Sequence, residues 1–261
     1  MINSALLSGF VSHWLNAVNA HSLHAPFVYD FYVNTLKPDA QLDVFRQIEQ
    51  HRIRLLSDHS PIRINSPGAP SRISQKRKRK ISNIAKRGIS QARYSRLLYR
   101  IAHRQEAKVI IELGTSLGIN TLYLSASSPE ATIYTFEGCE ETAGVAKDMF
   151  EAWDYKNICL VEGNIDDTLP DLLNQIEEVD FAYLDANHRY APTLSYFQSL
   201  LAKAHAKSIF ALDDIHWSTA MAKAWKDIVK RPEVSLSLDL FELGIVFFRE
   251  NQVKQYHHLI Y

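Results

Sequence analysis

The 261-residue chain has no apolar run long enough to cross a bilayer, so a membrane-spanning helix is not expected. It has only two cysteines, Cys139 and Cys159, too few for a disulfide framework, and a reducing compartment is the simpler setting. It has no excess of either charge: 29 lysines and arginines balance 29 aspartates and glutamates, so the total gives no sign of a polyanionic partner. The moderately apolar start, Met1 to Leu15, has no basic flank and is interrupted by Ser8, Ser12 and His13, which argues against a signal peptide. These absences lead us to expect a cytoplasmic protein. What is present is ordinary for a globular chain, 46% hydrophobic and 22% charged, with length for one large domain or one domain plus an extension. The neutral total hides one local bias. From Arg72 to Arg87 the chain carries Arg72, Lys76, Arg77, Lys78, Arg79, Lys80, Lys86 and Arg87 with no acid between them.

The first 90 or so residues show no clean strand alternation. Leu6–Val18, Phe27–Leu36 and Gln41–Leu56 read as helices, and Ser66–Ser71 as a turn. Ser90 is placed to cap a helix from about Gln91 to His103. After Lys108 the pattern changes to short apolar runs alternating with amphipathic stretches. Strands are predicted at 109–113, 132–136, 158–161, 179–184 and 208–212, with helices at 120–127, 140–153, 169–176, 193–204 and 218–229. Two last strands, 234–241 and 245–249, are predicted to join tightly through Leu243-Gly244. The expectation is an α/β fold: a doubly wound, mostly parallel seven-stranded sheet with a C-terminal antiparallel hairpin, preceded by a mainly helical N-terminal extension. Residues 1–90 then form the extension, or substrate cap, and residues 91–261 the main domain.

In doubly wound sheets ligands bind beyond the carboxyl ends of the strands. Here those ends are polar five times in succession. The first reads Glu112-Leu113-Gly114-Thr115-Ser116-Leu117-Gly118, whose glycines permit a sharp turn and a close approach to a ligand. The second ends Phe136-Glu137-Gly138, with Glu137 about 20 residues on, where an acid typically holds a ribose diol. The third ends Glu162-Gly163-Asn164-Ile165, the fourth Leu184-Asp185-Ala186-Asn187-His188, and the fifth Leu212-Asp213-Asp214-Ile215-His216-Trp217.

This series resembles the motifs of the class I S-adenosylmethionine-dependent methyltransferases, over roughly Gln91 to the C-terminus. The resemblance implies that Glu112 and Gly114 flank the methionine part of the cofactor, with Thr115, Ser116 and Gly118 in the same loop. Glu137, followed by Gly138, would bind the ribose hydroxyls, and Asn164 and Ile165 would border the adenine. The family more often has aspartate where Asn164 stands. A narrower resemblance is to the metal-dependent O-methyltransferases of the catechol and caffeoyl-coenzyme A type. It implies that Asp185, Asp213 and Asp214 hold Mg²⁺ or another divalent cation, that Asp185 also faces the cofactor, and that His188 is the general base. His188 stands where that family has lysine, and Asp214 where it has asparagine. The N-terminal region matches uncharacterised bacterial relatives more closely. The implied activity is O-methylation of a small hydroxylated substrate, with S-adenosylmethionine as cofactor. A homodimer is compatible with this reading.

Other readings stay open at this stage. Gly114-Thr115-Ser116-Leu117-Gly118 also fits the nucleophile elbow of an α/β-hydrolase, with Ser116 as nucleophile, Asp185 or Asp213 as acid and His216 or His257 as base. A nicotinamide-dependent dehydrogenase would want G-x-G-x-x-G, which is not the spacing here. The basic segment 72–87 could serve an RNA methyltransferase, although a solvated helix face or loop explains it with less. A chain that binds the cofactor without transferring methyl is a further reading. His21 and His24 have metal-compatible spacing with no acid or cysteine near them. Arg72, His21 and Tyr190 are candidate substrate-pocket residues, and Trp217, Trp225 and Phe241 candidate core or pocket wall.

Overall fold

A computed structural model describes residues 4–37, 42–64, 78–250 and 252–261. In chain order the first elements are α1 (Ser4–Asn16), α2 (Pro26–Phe31) with a π-helical turn at Tyr32–Leu36, and α3 (Asp43–Ser57). A short hairpin, β1 (Pro61–Arg63) and β2 (Lys78–Lys80), leads to α4 (Ile81–Gly88) and α5 (Ala92–Gln105). Then come β3 (Val109–Leu113), α6 (Ile119–Ser127), β4 (Thr132–Glu137), α7 (Glu140–Ala152), β5 (Ile158–Glu162) and α8 (Ile165–Leu173). The chain continues with β6 (Val179–Leu184), α9 (Tyr190–Leu201), β7 (Ala204–Asp213) and α10 (Thr219–Val229). It ends with β8 (Leu236–Asp239), β9 (Leu243–Phe247) and β10 (Gln255–His258). The residues fall into two compact units, Asp39–Ile176 and Met1–Pro38 with Glu177–Tyr261.

In the unit Asp39–Ile176, β3, β4 and β5 run parallel in that order. Ile110, Ile111, Leu113, Ile133 and Phe136 are fully buried, the signature of strands covered on both faces. The register places Glu112 beside Thr135 and Glu137 beside Glu162, so the carboxyl ends of the strands line up. Helix α6 buries every residue except Ala126, and is therefore a central helix rather than an amphipathic surface one. Its Leu122 and Tyr123 share one core with Phe45, Ile48 and Leu55 of α3, Ile81 and Ala85 of α4, and Met149 and Phe150 of α7. Helix α8 starts at Asn164, whose side chain accepts a hydrogen bond from the Asp166 N–H. The helix begins four residues before the predicted start at Leu169, and Pro170 sits inside it. Ser90 is not the cap of α5: Gln91 holds that position, and the Ser90 hydroxyl instead accepts from the Asn120 amide.

In the unit Met1–Pro38 with Glu177–Tyr261 the strand order is β6-β7-β9-β8-β10. β6 and β7 are parallel, and β9 is antiparallel to both β7 and β8. All seven predicted strands are present, and the expected α/β class with a C-terminal antiparallel hairpin holds. There are two corrections. An additional strand, β10, pairs parallel with β8; its sequence Gln255-Tyr256-His257-His258 is too polar to announce it. The turn between β8 and β9 lies at Leu240–Glu242, not at Leu243-Gly244: the Leu240 N–H donates to the Leu243 carbonyl, and Phe241 takes a φ of +73°. Trp217 is half exposed and is not core, whereas Trp225 is buried. No described helix is long and apolar enough to cross a membrane.

Gly244 lies within β9 because of Trp225. A Cβ there would meet the Trp225 ring at 2.7 Å, and that ring is 2% exposed and has nowhere to go. Gly244→Ala should cost about 1–3 kcal/mol in denaturant unfolding, the usual range for overpacking. An unchanged midpoint would show that the ring can retreat.

Candidate functional site

In the unit Asp39–Ile176, the first strand end is organised around a buried carboxylate. Glu112 has no exposed surface. Its Oε2 accepts hydrogen bonds from the hydroxyls of Thr121 on α6 and Thr135 on β4, the latter at 2.6 Å. Thr115 joins the chain through its hydroxyl, 2.6 Å from that of Thr135. Isolated burial of a carboxylate is prohibitive, so this threonine clasp is a condition of the local fold. It fixes the end of β3, the neighbouring strand and the helix after the loop with respect to one another.

The loop itself is held in left-handed backbone. Gly114, Ser116 and Gly118 have φ of +105°, +49° and +78°. For Ser116 this conformation is strained, and such strain persists only where the surroundings impose it. At Gly118 a side chain is excluded twice over, since a Cβ would lie 2.5 Å from Met149 Cε and 2.8 Å from the Phe150 ring. The Ser116 N–H donates to Glu137 Oε2 at 2.8 Å, and the Cys139 N–H donates to Oε1 at 2.9 Å. One carboxylate thus ties the glycine loop to the turn after β4. The two backbone donors set the orientation of the carboxylate, one on each oxygen. Glu137 and Gly138 are partly exposed. Asn164 caps α8, Ile165 is buried behind it, and the Gly163 N–H donates to the Glu137 carbonyl.

A polar network that the sequence did not signal lies behind this loop. Arg52 of α3 binds Glu49, the Ser90 carbonyl at 2.6 Å and the Ser95 hydroxyl at 3.1 Å. Ser95 donates to Asn120, at the start of α6, and Tyr123 of α6 donates to Glu49 at 2.8 Å. Burial, followed by the field of Glu49, pushes the Tyr123 phenol far up. These contacts join α3 of the N-terminal region to the helix that follows the glycine loop.

In the other unit, the ends of β6 and β7 bring together four predicted residues. His188 Nε2 is 3.4 Å from Asp185 Oδ1, and His188 Nδ1 is 3.9 Å from Asp214 Oδ2. Tyr183 donates to Asp185 Oδ2 at 3.3 Å. Asn187, His188 and Asp214 all have positive φ, so both strand-end turns are strained where the polar side chains gather. Burial works against a charged His188, but the hydrogen bond to Asp185 and the charges of Asp185 and Asp214 outweigh it and raise its pKa. Burial, then the charges of Asp185 and Asp214, push Asp213 well up. Burial likewise raises Asp214 to about 6, against the pull of His188. The cluster is a set of carboxyls crowded enough to resist ionisation, with one imidazole between two of them. Even so, the metal-compatible donors that close to within 4.8 Å of one another among the described residues are a different trio, His13, His216 and Asp239.

The remaining candidates fall outside these clusters. His216 Nε2 is 2.8 Å from Asp239 and His257 Nε2 is 3.2 Å from Gln255, so the two histidines offered to a hydrolase triad are engaged elsewhere. Tyr190 donates to Asp227, with Lys223 over its ring. His21 and His24 are exposed. Of the basic run, Lys78, Lys80, Lys86 and Arg87 are exposed, while Arg72, Lys76, Arg77 and the turn Ser66–Ser71 lie outside the described residues.

Comparison with known proteins gives the domain. Residues 111–215 match a family described as a methyltransferase domain, so the chain carries one. Three solved structures share its fold. A methyltransferase of Podospora anserina bound to S-adenosylhomocysteine is 15% identical with a TM-score of 0.61, over 87% of this chain and 98% of that one. An O-methyltransferase of Bacillus cereus, also with S-adenosylhomocysteine, is 18% identical with a TM-score of 0.57, over 84% and 97%. An O-methyltransferase of tomaymycin synthesis from Streptomyces achromogenes, with S-adenosylmethionine, is 16% identical with a TM-score of 0.57, over 85% and 96%. No curated protein matches the sequence. The expected methyltransferase class agrees with the matched domain, and the expected fold with the solved structures.

The raised Asp214 makes a pH prediction. A carboxyl whose folded pKa lies above its ordinary 3.8 weakens the fold when ionised: the penalty is absent below about pH 4 and complete above about pH 6. In chelator, Asp214→Asn should therefore be more stable than wild type at pH 8 and equal to it at pH 4. Because the Asp214 side chain is 37% exposed, solvent screening holds the gain to about 1 kcal/mol or less. Lower stability of the variant at pH 8 would contradict the crowded-carboxylate description.

Proposed function

We propose that this methyltransferase, built on the fold of the S-adenosylmethionine-dependent class, transfers a methyl group from S-adenosylmethionine to an oxygen of a small hydroxylated substrate. The observation that carries the reading is the Glu137 carboxylate. It lies one strand beyond the glycine loop, at the position where an acid faces a ribose diol, and is oriented by the Ser116 and Cys139 N–H groups. The residues fit the cofactor in the way a ribose-binding acid should.

When bound, S-adenosylmethionine would supply an electrophilic methyl group on a sulfonium, with the thioether of S-adenosylhomocysteine as the leaving group. The chain's task is to hold and align the reactants, and alignment accounts for much of such an acceleration. In this reading Gly114, Thr115, Ser116 and Gly118 form the loop against the methionine part. Glu112 positions that loop from behind, through its threonines. Glu137 and Gly138 take the ribose, Asn164 and Ile165 border the adenine, and Asp185 faces the cofactor from the fourth strand end. Asp185, Asp213 and Asp214 are assigned to a divalent cation such as Mg²⁺. Their oxygens suit a hard ion, and their mutual repulsion is what such an ion would relieve. That cation would favour the ionised acceptor oxygen. His188 is the base that takes the acceptor proton. The N-terminal 90 residues are assigned to the acceptor as a substrate cap.

Glu137→Ala should weaken S-adenosylhomocysteine binding by about 1.5–3 kcal/mol in a calorimetric titration, the value of a hydrogen bond to a charged group. Unchanged affinity would remove Glu137 from the cofactor site. Asp185→Ala should abolish methyl transfer while the unfolding curve stays cooperative. Excess EDTA should stop transfer as well, and full activity in EDTA would take the cation out of the scheme.

A further inference from the structure

The strongest unexplained cluster lies in the unit Met1–Pro38 with Glu177–Tyr261, around Asp239 at the end of β8. Asp239 is completely buried. Three imidazoles converge on it from parts of the chain far apart in sequence. His13 Nδ1 from α1 is 3.0 Å from Oδ1, His216 Nε2 from the turn after β7 is 2.8 Å from Oδ2, and His258 Nδ1 from β10 is 3.5 Å from Oδ2. Of the three, only the His216 contact has full hydrogen-bond geometry; His13 Nδ1 and His258 Nδ1 are buried beside the carboxylate and poorly aligned with it. Two buried ring nitrogens poorly aligned with their nearest acceptor are costly as a pure hydrogen-bond network. Their convergence with His216 on one carboxylate is a cluster of metal-compatible donors.

The distances agree with that description. Donors bound at about 2.0–2.1 Å to a tetrahedral ion lie roughly 3.3–3.4 Å apart. The ligand atoms of His13, His216 and Asp239 all lie within 4.8 Å of one another, and the 3.0 and 2.8 Å separations from Asp239 are somewhat shorter than the tetrahedral value. The surroundings hold the donors in place, as the neighbours of metal ligands do. Tyr256 donates to Asp239 Oδ2 at 2.8 Å, and the Phe241 N–H donates to Oδ1 at 2.9 Å. Phe241 takes its strained φ of +73° to do so, and its ring stacks on His216 at 5.3 Å. Gly9 faces His216, where a Cβ would already touch the ring at 3.7 Å. The histidines also line a cavity of about 630 Å³, which gives an ion a way in.

We infer that His13, His216 and Asp239 bind a divalent transition-metal ion of the Zn²⁺ type, with His258 beside them. Imidazole nitrogens with one carboxylate suit zinc, cobalt or iron rather than the hard ions assigned to the strand-end carboxylates. Three protein donors leave one coordination position open toward the cavity. The ion would pin α1 to the end of β8, near the bridge in which the Val18 N–H donates to the His258 carbonyl. This site is independent of the methyltransferase reading.

The test uses the full chain, stripped with chelator and titrated with Co²⁺, then Zn²⁺. Co²⁺ at the histidine site should give an intense visible ligand-field band that Zn²⁺ abolishes, and Zn²⁺ should raise the unfolding temperature. His216→Gln and His13→Gln should lose the band and the thermal shift, while Asp214→Asn keeps both. Tyr256→Phe, a milder change, should keep the fold and weaken metal affinity about tenfold. The inference is overturned if the wild-type chain takes up neither ion, or if both histidine variants, folded by circular dichroism in EDTA, retain the band.

Discussion

The first half of the site depends on a carboxylate that the solvent never reaches. Glu112 is buried with Thr121 and Thr135 donating to it, and those threonines stand on the helix after the glycine loop and on the adjacent strand. Breaking a buried, hydrogen-bonded charge by removing one partner is among the costliest single changes a fold can suffer. The geometry of the loop, and through it the aim of the Ser116 N–H at Glu137, rests on that clasp. The loop is therefore set before any ligand arrives, which is how alignment can be obtained without a cost at binding.

Strain in the backbone sits where the chemistry is assigned. Ser116, Asn187, His188 and Asp214 adopt left-handed conformations that their side chains disfavour, and each lies just past a strand end. The two strand ends of the unit Met1–Pro38 with Glu177–Tyr261 differ in purpose from the glycine loop. They crowd carboxyls around one imidazole, and the result is raised proton affinity at Asp213, Asp214 and His188. Perturbation of several neighbouring groups in one direction is typical of places where charge is handled. Asp239 shows the opposite response. Burial alone would raise it, yet its three imidazoles hold it far below the carboxylate range.

Much of this was legible in the sequence because it is local. Val109-Ile110-Ile111-Glu112-Leu113 closed by glycine can be little other than a buried strand and turn, and Glu137 follows at a spacing with a physical meaning. Asp185, His188, Asp213 and Asp214 were visible as polar residues repeated at strand ends. The turn at Leu240–Glu242 was misplaced because Gly244 attracts a turn assignment, while its real constraint is the Trp225 ring, far away in sequence. β10 was hidden by its polar residues. Arg52, Ser95 and Asn120, like His13, His216, Asp239 and His258, carry no spacing signature at all, since each group is assembled only by tertiary pairing.

The most direct test of the central claim is calorimetric titration of the wild-type chain with S-adenosylhomocysteine. A preformed loop and an oriented Glu137 predict one site per chain with a dissociation constant in the micromolar range, about −8 kcal/mol. No heat of binding at millimolar ligand would contradict the account and leave the strand-end cluster without its cofactor.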